Sequence, residues 1–346
     1  MSKLLTISIA AYNVEKTIEE CLDSFLPCKH LDDLEILVIN DGSHDRTVEI
    51  VSEYEKKYPG IIKLVNKENG GHGSTINKSL SIATGKFFKV IDGDDWVNPD
   101  ELDKLCDWLK KTDADLVING FKWCYPNYQF EQHDEKYYNL HVTYLFEEML
   151  RVRGTDTPFF MMHAITIRTV CLRQTHMHIK EKCFYADNEF NLYSYLAAKT
   201  ISFDNSCAYQ YRMGQSTQSV SSEGWYKHLE DYFAIFEDLA EFLSKRIPNN
   251  AENPKDKYLI GFLEMYYNGL FSVVVDKITR NGKDYLLINS LEKLKIQYKN
   301  LYMQMHLNSI TNRIVSKKPA LMVPFMRYFK KTIIFKVLKG VKTVIK

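Results

Sequence analysis

The stretch Phe87-Phe88-Lys89-Val90-Ile91-Asp92-Gly93-Asp94-Asp95 runs from an almost wholly apolar segment into three carboxylates within four residues. A short apolar run bounded by Gly and Asp reads as a buried strand that surfaces at its carboxyl end. Residues 4–10, 34–40, 61–65 and 116–118 form four more runs of this kind. Between them, residues 15–25, 45–57, 74–83 and 99–111 carry apolar side chains at three-to-four spacing, the period of a helix with one buried face. Pro99 suits the first turn of its helix, with Asn98 as the cap. Strand and helix in alternation predict an α/β fold: a Rossmann-like, mostly parallel sheet flanked by helices.

Such sheets bind ligands at the carboxyl ends of their strands. Here those ends read Ala11-Tyr12-Asn13, Asn40-Asp41-Gly42-Ser43 and Asp92-Gly93-Asp94-Asp95, so three polar clusters are expected on one rim. Crowded carboxylates are unfavourable unless a positive charge sits among them. A hard divalent cation, Mn²⁺ or Mg²⁺, accepts carboxylate oxygens and keeps positions open for phosphate. Gly93 lets the turn bring two carboxylates to the same side. Alone, the acidic run would serve equally as a turn leading into a helix cap. The two neighbouring clusters decide for a ligand site.

Beyond the first third the signals change. Residues 120–165 are aromatic and irregular, without an assignable period. Residues 187–198 read as a helix, and 200–203 and 208–212 as strands. From Trp225 the pattern is helical over 225–245, 257–279 and 285–305, which places a domain boundary near Ser222. A helical domain is then expected over 223–312 and a basic tail over 313–346. The net charge of +1 excludes a wholesale nucleic-acid binder, but the charge is unevenly spread. From Lys293 onward there are thirteen Lys and Arg and no Asp or Glu, so the preceding residues are net acidic. Lys and Arg interleave with apolar residues from Lys317 to Lys346, a cationic amphipathic pattern that predicts docking on an anionic membrane surface. Seven scattered cysteines without a CxxC pair point to a reducing compartment. The apolar start lacks a signal-peptide cleavage site, and no run approaches the length of a membrane span. A cytoplasmic protein, peripheral at the inner face of the cell membrane, is expected.

Four motifs carry a family resemblance. Residues 7–15 (Ile-Ser-Ile-Ala-Ala-Tyr-Asn-Val-Glu), Val38-Ile39-Asn40-Asp41-Gly42-Ser43, Asn69-Gly70-Gly71-His72-Gly73-Ser74 through Asn77, and Asp92-Gly93-Asp94-Asp95-Trp96 occur in sequence order. Together they resemble family 2 glycosyltransferases, which have the GT-A fold and include bacterial surface-polysaccharide enzymes. Tyr185-Ala186-Asp187-Asn188-Glu189 and Tyr211-Arg212 with Gln218-Ser219 extend the likeness to about residue 222. The resemblance implies a catalytic domain over 1–222, with a nucleotide-binding half over about 1–120 and an acceptor half over about 121–222.

It also implies roles. Tyr12 would flank the base of a UDP-sugar donor and Asp41 would accept the base's imide hydrogen. Ala11, Asn13, Glu15 and Gly42 belong to the same donor-binding motifs. Asp92, beside Gly93, would bind ribose or metal-linked water, and Asp94 would ligate the metal. Asp187 would be the general base that deprotonates an acceptor hydroxyl, giving inversion at the anomeric carbon. Arg212, Gln218 and Ser219 would close over the diphosphate. Two departures stand out. Ala186 replaces the family's usual Glu, which leaves Glu189 as a second candidate base. Ile76-Asn77-Lys78 lacks the family's Arg before Asn77, so His72 or Lys78 is left to supply positive charge near the phosphates. The acceptor is expected to be a lipid-linked glycan, as in capsule, exopolysaccharide or cell-wall polymer synthesis. Sugar-nucleotide pyrophosphorylases share the sheet and acidic site, but Ala11-Tyr12-Asn13-Val14-Glu15 is unlike their Gly-rich loop with Arg. A non-catalytic membrane-bound adaptor is the third reading, opposed by the joint presence of Asp41, Asp92, Asp94 and Asp187.

Overall fold

The structure, a computed structural model, describes residues 3–132, 138–214, 222–274 and 283–305. The chain divides into two compact units, Met1–Gln215 and Ser216–Lys346.

The first unit opens with β1 (Leu5–Ala11), α1 (Ile18–Asp23), β2 (Leu34–Asn40), α2 (Thr47–Lys57), β3 (Ile62–Asn66), α3 (His72–Ile82) and β4 (Phe87–Asp92). It continues with β5 (Trp96–Val97), α4 (Pro99–Leu109), β6 (Leu116–Ile118), β7 (Phe121–Cys124), β8 (Gln129–Gln132), β9 (Thr143–Leu145) and α5 (Phe146–Arg153). β10 (Ile165–Arg168), α6 (Thr169–Gln174), α7 (Asp187–Ala197), β11 (Thr200–Phe203) and β12 (Tyr209–Arg212) complete it. The main sheet has the order β3-β2-β1-β4-β10-β6-β11-β9. β3, β2, β1 and β4 are mutually parallel, whereas β10 lies antiparallel between β4 and β6. The expected α/β architecture is therefore present, with β10 inserted antiparallel into the parallel set and β9 antiparallel at its edge. β1 is closed on both faces, so that even Thr6 and Ser8 are fully buried beside Leu5, Ile7 and Ile9. Leu5-Thr6-Ile7-Ser8-Ile9 alternates as a half-solvated strand would, but the second face is covered too, and small hydroxyl side chains fill it.

A second, smaller sheet has the order β5-β12-β7-β8. It is built largely from the segment whose sequence shows no period. All seven cysteines are free and six are buried, as expected of small apolar packing groups.

The second unit is helical in its described residues: α8 (Ser222–Lys227), α9 (Leu229–Arg246), α10 (Pro254–Ser272), α11 (Asp284–Gln297) and α12 (Lys299–Gln304). The helix expected over 285–305 is broken at Tyr298, whose φ of −119° leaves the helical region. α10 starts three residues before its expected start, because the Asn253 side chain accepts a hydrogen bond from the Asp256 amide and Pro254 occupies the first turn. No described helix is long and apolar enough to cross a membrane. The expected tail over 313–346 lies outside the described residues.

Candidate active site

Strand register assembles the rim. Ala11 pairs with Asn40 and Ala10 with Asp92, so the ends of β1, β2 and β4 stand side by side. The loop after β1 is then tied to the loop after β2. Asn13 donates its amide to Ser43 Oγ (3.0 Å) and accepts the His44 amide at its Oδ1 (2.8 Å). The Val14 amide reaches Thr47 Oγ1, the Glu15 amide reaches Asp45 Oδ2, and the Arg46 amide donates to Glu15 Oε2, each at 3.0 Å. Asn13 adopts φ +54°, a left-handed conformation that Asn tolerates better than most residues. The side chains of Asn13 and Glu15 thus shape the loop, while Tyr12 stands 48% exposed at its tip.

Asp41 is buried and held at both carboxylate oxygens, more fully at Oδ1 than at Oδ2. Its Oδ1 accepts from Lys67 Nζ (2.6 Å), the Gly70 amide (2.9 Å) and Ser74 Oγ (3.3 Å), and its Oδ2 from the Gly71 amide (2.7 Å). It lies just ahead of the α3 N-terminus, where amides and helix dipole both favour an anion. Gly42, at φ +75°, lets the chain turn there; a Cβ would meet the Asn69 nitrogen at 3.0 Å. The Asn77 side chain exchanges two hydrogen bonds with the Ile179 backbone (2.8 and 2.9 Å), latching α3 to that segment. Lys78 is exposed on the same helix. The cation beside Asp41 is Lys67, just past the end of β3, which sequence reading did not single out. The signal was available, since every strand end of a parallel set reaches the same rim.

The acidic cluster divides into held and open members. The Gly93 amide donates to Ala10 O (3.0 Å), and a Cβ at Gly93 would lie 2.7 Å from that oxygen, so the turn requires glycine. Asp92 sits between His72 Nε2, 3.0 Å from its Oδ1, and the Tyr209 hydroxyl, 3.0 Å from its Oδ2. Burial would raise the Asp92 pKa, but the His72 hydrogen bond and charge hold it at about 2. His72 responds in kind: burial opposes its charge, yet Asp92 lifts its pKa above the ordinary value. Asp95 is bound by the Tyr209 hydroxyl (2.7 Å) and the Arg212 amide (2.7 Å), while burial and the charges of Asp94 and Asp92 push its carboxyl well up. Arg212 donates from Nε to Asp94 O (2.7 Å) and from Nη2 to Glu20 (2.6 Å), with its guanidinium 4.5 Å from the Trp96 ring centre.

Two carboxylates remain for chemistry. Among the described residues no side chain hydrogen-bonds the Asp94 carboxylate, and burial together with the Asp92 charge raises its pKa. Asp187, the first residue of α7, is raised by burial and by Asp92, against the lowering effect of His72. Glu189, by contrast, is buried and accepts the Lys180 amide at 2.7 Å. Tyr209, which joins Asp92 to Asp95, was also missed by sequence reading, because the contact spans more than a hundred residues. Gln218 and Ser219 lie outside the described residues. A raised, unpaired carboxylate next to a second anion suits a divalent cation, which would relieve both burial and repulsion. No group of three or more His, Cys, Asp or Glu forms a ready metal cage among the described residues. Asp94 therefore fits the mode in which one or two carboxylates and the substrate's phosphates share the ion.

Residues 6–174 match the family model described as glycosyl transferase family 2. The uncharacterized glycosyltransferase EpsJ of Bacillus subtilis is 37% identical over 121 residues, 35% of each protein. The putative glycosyltransferase EpsH of the same organism is 27% identical over 278 residues, 76% of this chain and 74% of that one. Among solved structures, S. aureus TarS 1–349 superposes with a TM-score of 0.66 at 18% identity, covering 94% of this chain and 89% of that chain. The same protein in complex with UDP-GlcNAc gives 0.63 at 19% identity, over 91% and 92%. The fold is thus GT-A.

Proposed function

The N-terminal unit of this chain belongs to glycosyl transferase family 2, and from that premise we propose an inverting transfer of a sugar from a UDP-sugar to a glycan hydroxyl. The observation that carries the proposal is the presence, on one rim, of two carboxylates raised by burial, Asp94 and Asp187, beside a third carboxylate held at low pKa by His72. Opposite protonation tendencies among neighbouring acids are the usual mark of divided roles.

In this reading Tyr12 offers its exposed ring to the base, and Asp41 Oδ2, with one donor from the described residues, accepts the imide hydrogen. His72 brings positive charge toward the phosphates, and Arg212 is oriented for the same purpose by Asp94 O, Glu20 and Trp96. Asp187 takes the proton of an acceptor hydroxyl as its oxygen attacks the anomeric carbon. The bond from that carbon to the diphosphate oxygen breaks, UDP leaves, and the configuration inverts. A divalent cation, Mn²⁺ or Mg²⁺, held by Asp94, would supply charge neutralisation to the departing diphosphate. Support for UDP comes from the family match and from TarS, which has been solved with UDP-GlcNAc. The acceptor proposed is a lipid-linked glycan of the capsule, exopolysaccharide or cell-wall type. The cationic amphipathic sequence over 313–346 supports a peripheral position at the inner face of the membrane.

Incubation with UDP-glucose, UDP-galactose and their N-acetyl forms, with and without Mn²⁺, is expected to give slow metal-dependent release of UDP from at least one donor. Formation of UTP from added pyrophosphate would instead identify a pyrophosphorylase and end the proposal. A pH profile adds a second check. Because Asp187 must be ionised to act and its pKa is raised, the acidic limb of kcat/KM should lie above the ordinary carboxylate range. The His72 charge lowers that pKa, so His72→Gln should move the limb to higher pH. A limb that stays in place or moves down would separate Asp187 from catalysis.

A further inference from the structure

The second sheet carries a row of aromatic rings that leads away from the acidic cluster, and the donor reading gives it no task. Strand register places Tyr211 of β12 opposite Trp123 of β7, and Trp123 opposite Phe130 of β8. Paired residues in a sheet project to the same side. The ring centres follow at 5.1 Å from Tyr211 to Trp123 and 5.8 Å from Trp123 to Phe130, the latter pair stacked at 21°. Tyr125 and Tyr128 extend the row at the hairpin tip, stacked on one another at 4.5 Å and 9° and lying 6.1 and 6.4 Å from Phe130.

The inner end of the row belongs to the site. Tyr209, two residues before Tyr211 on β12, bonds Asp92 and Asp95, and the Tyr211 hydroxyl is pushed up by burial and by Asp92, Asp95, Asp187 and Asp94. The outer end is open to solvent, with Tyr128 58% and Phe130 43% exposed. Beside them the hairpin over 121–132 exposes no Leu, Ile, Val or Met, and its exposed neighbours are Pro126 and the polar Asn127, Gln129 and Glu131. The surface is thus mainly flat rings with polar side chains between them, a relief suited to a hydrated ring-shaped ligand. Asp92 also separates two directions: His72 approaches one carboxylate oxygen and Tyr209 the other. Tyr211 lies beside Asp187 electrostatically and on the same face of β12 as Tyr209, whereas Arg212, assigned to the diphosphate, alternates to the other face, so the ring-lined face is the one open to an acceptor.

We propose that Tyr211, Trp123, Phe130, Tyr128 and Tyr125 form an acceptor subsite that stacks successive sugar rings of a glycan and directs its reactive end to Asp187. Sugars present patches of C–H bonds on their ring faces, and these pack on aromatic faces while the hydroxyls stay hydrated. The proposal rests on the donor reading above, since a row of rings beside a site with another purpose would have no chain to guide.

The test uses the full chain and titrates it by calorimetry with UDP and, separately, with glucose, galactose and N-acetylglucosamine tetrasaccharides. At least one tetrasaccharide should bind, and the double variant Tyr128→Ala/Phe130→Ala should weaken it roughly tenfold or more with UDP affinity unchanged. Phe130→Trp, which keeps a flat ring, should retain most of the binding in an otherwise unchanged chain. Both residues are exposed, so the melting temperature should hold. Equal tetrasaccharide affinity in the double variant overturns the proposal, as does failure of every tetrasaccharide to bind a chain that still binds UDP. A chain that binds no UDP overturns the donor reading instead, and the subsite with it.

Discussion

Asp187→Asn should lower the rate of sugar transfer by roughly 10²–10⁴-fold while UDP binding stays within about twofold. Asn keeps the shape and the acceptor oxygen that Asn188 Nδ2 approaches at 3.2 Å, but it has no basic lone pair of carboxylate strength. Stability should not fall with activity. The Asp187 pKa is raised in the folded chain, so near neutral pH its charged form is less favourable there than in the unfolded chain. Removing that charge leaves the melting temperature equal or higher. Loss of rate at preserved stability and donor affinity is the pattern of a group that acts on the reacting proton. Glu189→Gln is the control. Glu189 accepts the Lys180 amide, a bond that the Gln oxygen can keep, so its variant should retain most activity. The opposite outcome, an active Asp187→Asn and an inactive Glu189→Gln, would transfer the base to Glu189.

The parallel half of the fold was legible because β1, β2 and β4 are buried almost throughout and read as short, mainly apolar runs, with β3 a half-exposed strand at the edge. The site's rim followed from it, since Asn40, Asp41 and Asp92 fall at the carboxyl ends of parallel strands, which share one edge of the sheet. What eluded the sequence has physical causes. β10 has only four residues and leads straight into α6, too short a run to show that it inserts antiparallel between β4 and β6. The second sheet pairs β12 with β7 and β5 across long stretches of chain, and its aromatic faces follow no period long enough to count. The engagement of Asp41 by Lys67, Gly70 and Gly71 depends on how the loop after β3 folds back, which spacing alone does not state. At Asn253-Pro254 the sequence did carry the signal, the same cap-and-proline pair as Asn98-Pro99. The 225–245 stretch likewise hides a break, for the helix restarts after His228 with neither Pro nor Gly at that residue to announce it.

The acidic run that decides the fold also separates two substitutions that look alike on paper. Asp94→Asn should abolish the Mn²⁺-dependent part of UDP-sugar turnover, a loss of roughly 10²–10⁴-fold, because the cation then has no carboxylate free to hold it. Folding should be little harmed without metal, since burial and the Asp92 charge disfavour the Asp94 anion more than Arg212 and His72 favour it. Asp92→Asn should behave differently. The Asp92 pKa is held at about 2, below its ordinary value, so its charge stabilises the fold above the unfolded pKa and that gain disappears as pH falls through the folded one. Replacing it leaves His72 facing a neutral amide and weakens the link through Tyr209, so the melting temperature at pH 7 should drop. Manganese titrations followed by UDP release, paired with melting curves without metal, distinguish the two. If Asp94→Asn keeps its response to Mn²⁺ while Asp92→Asn loses it at unchanged stability, the metal belongs to Asp92 and the division of labour is reversed.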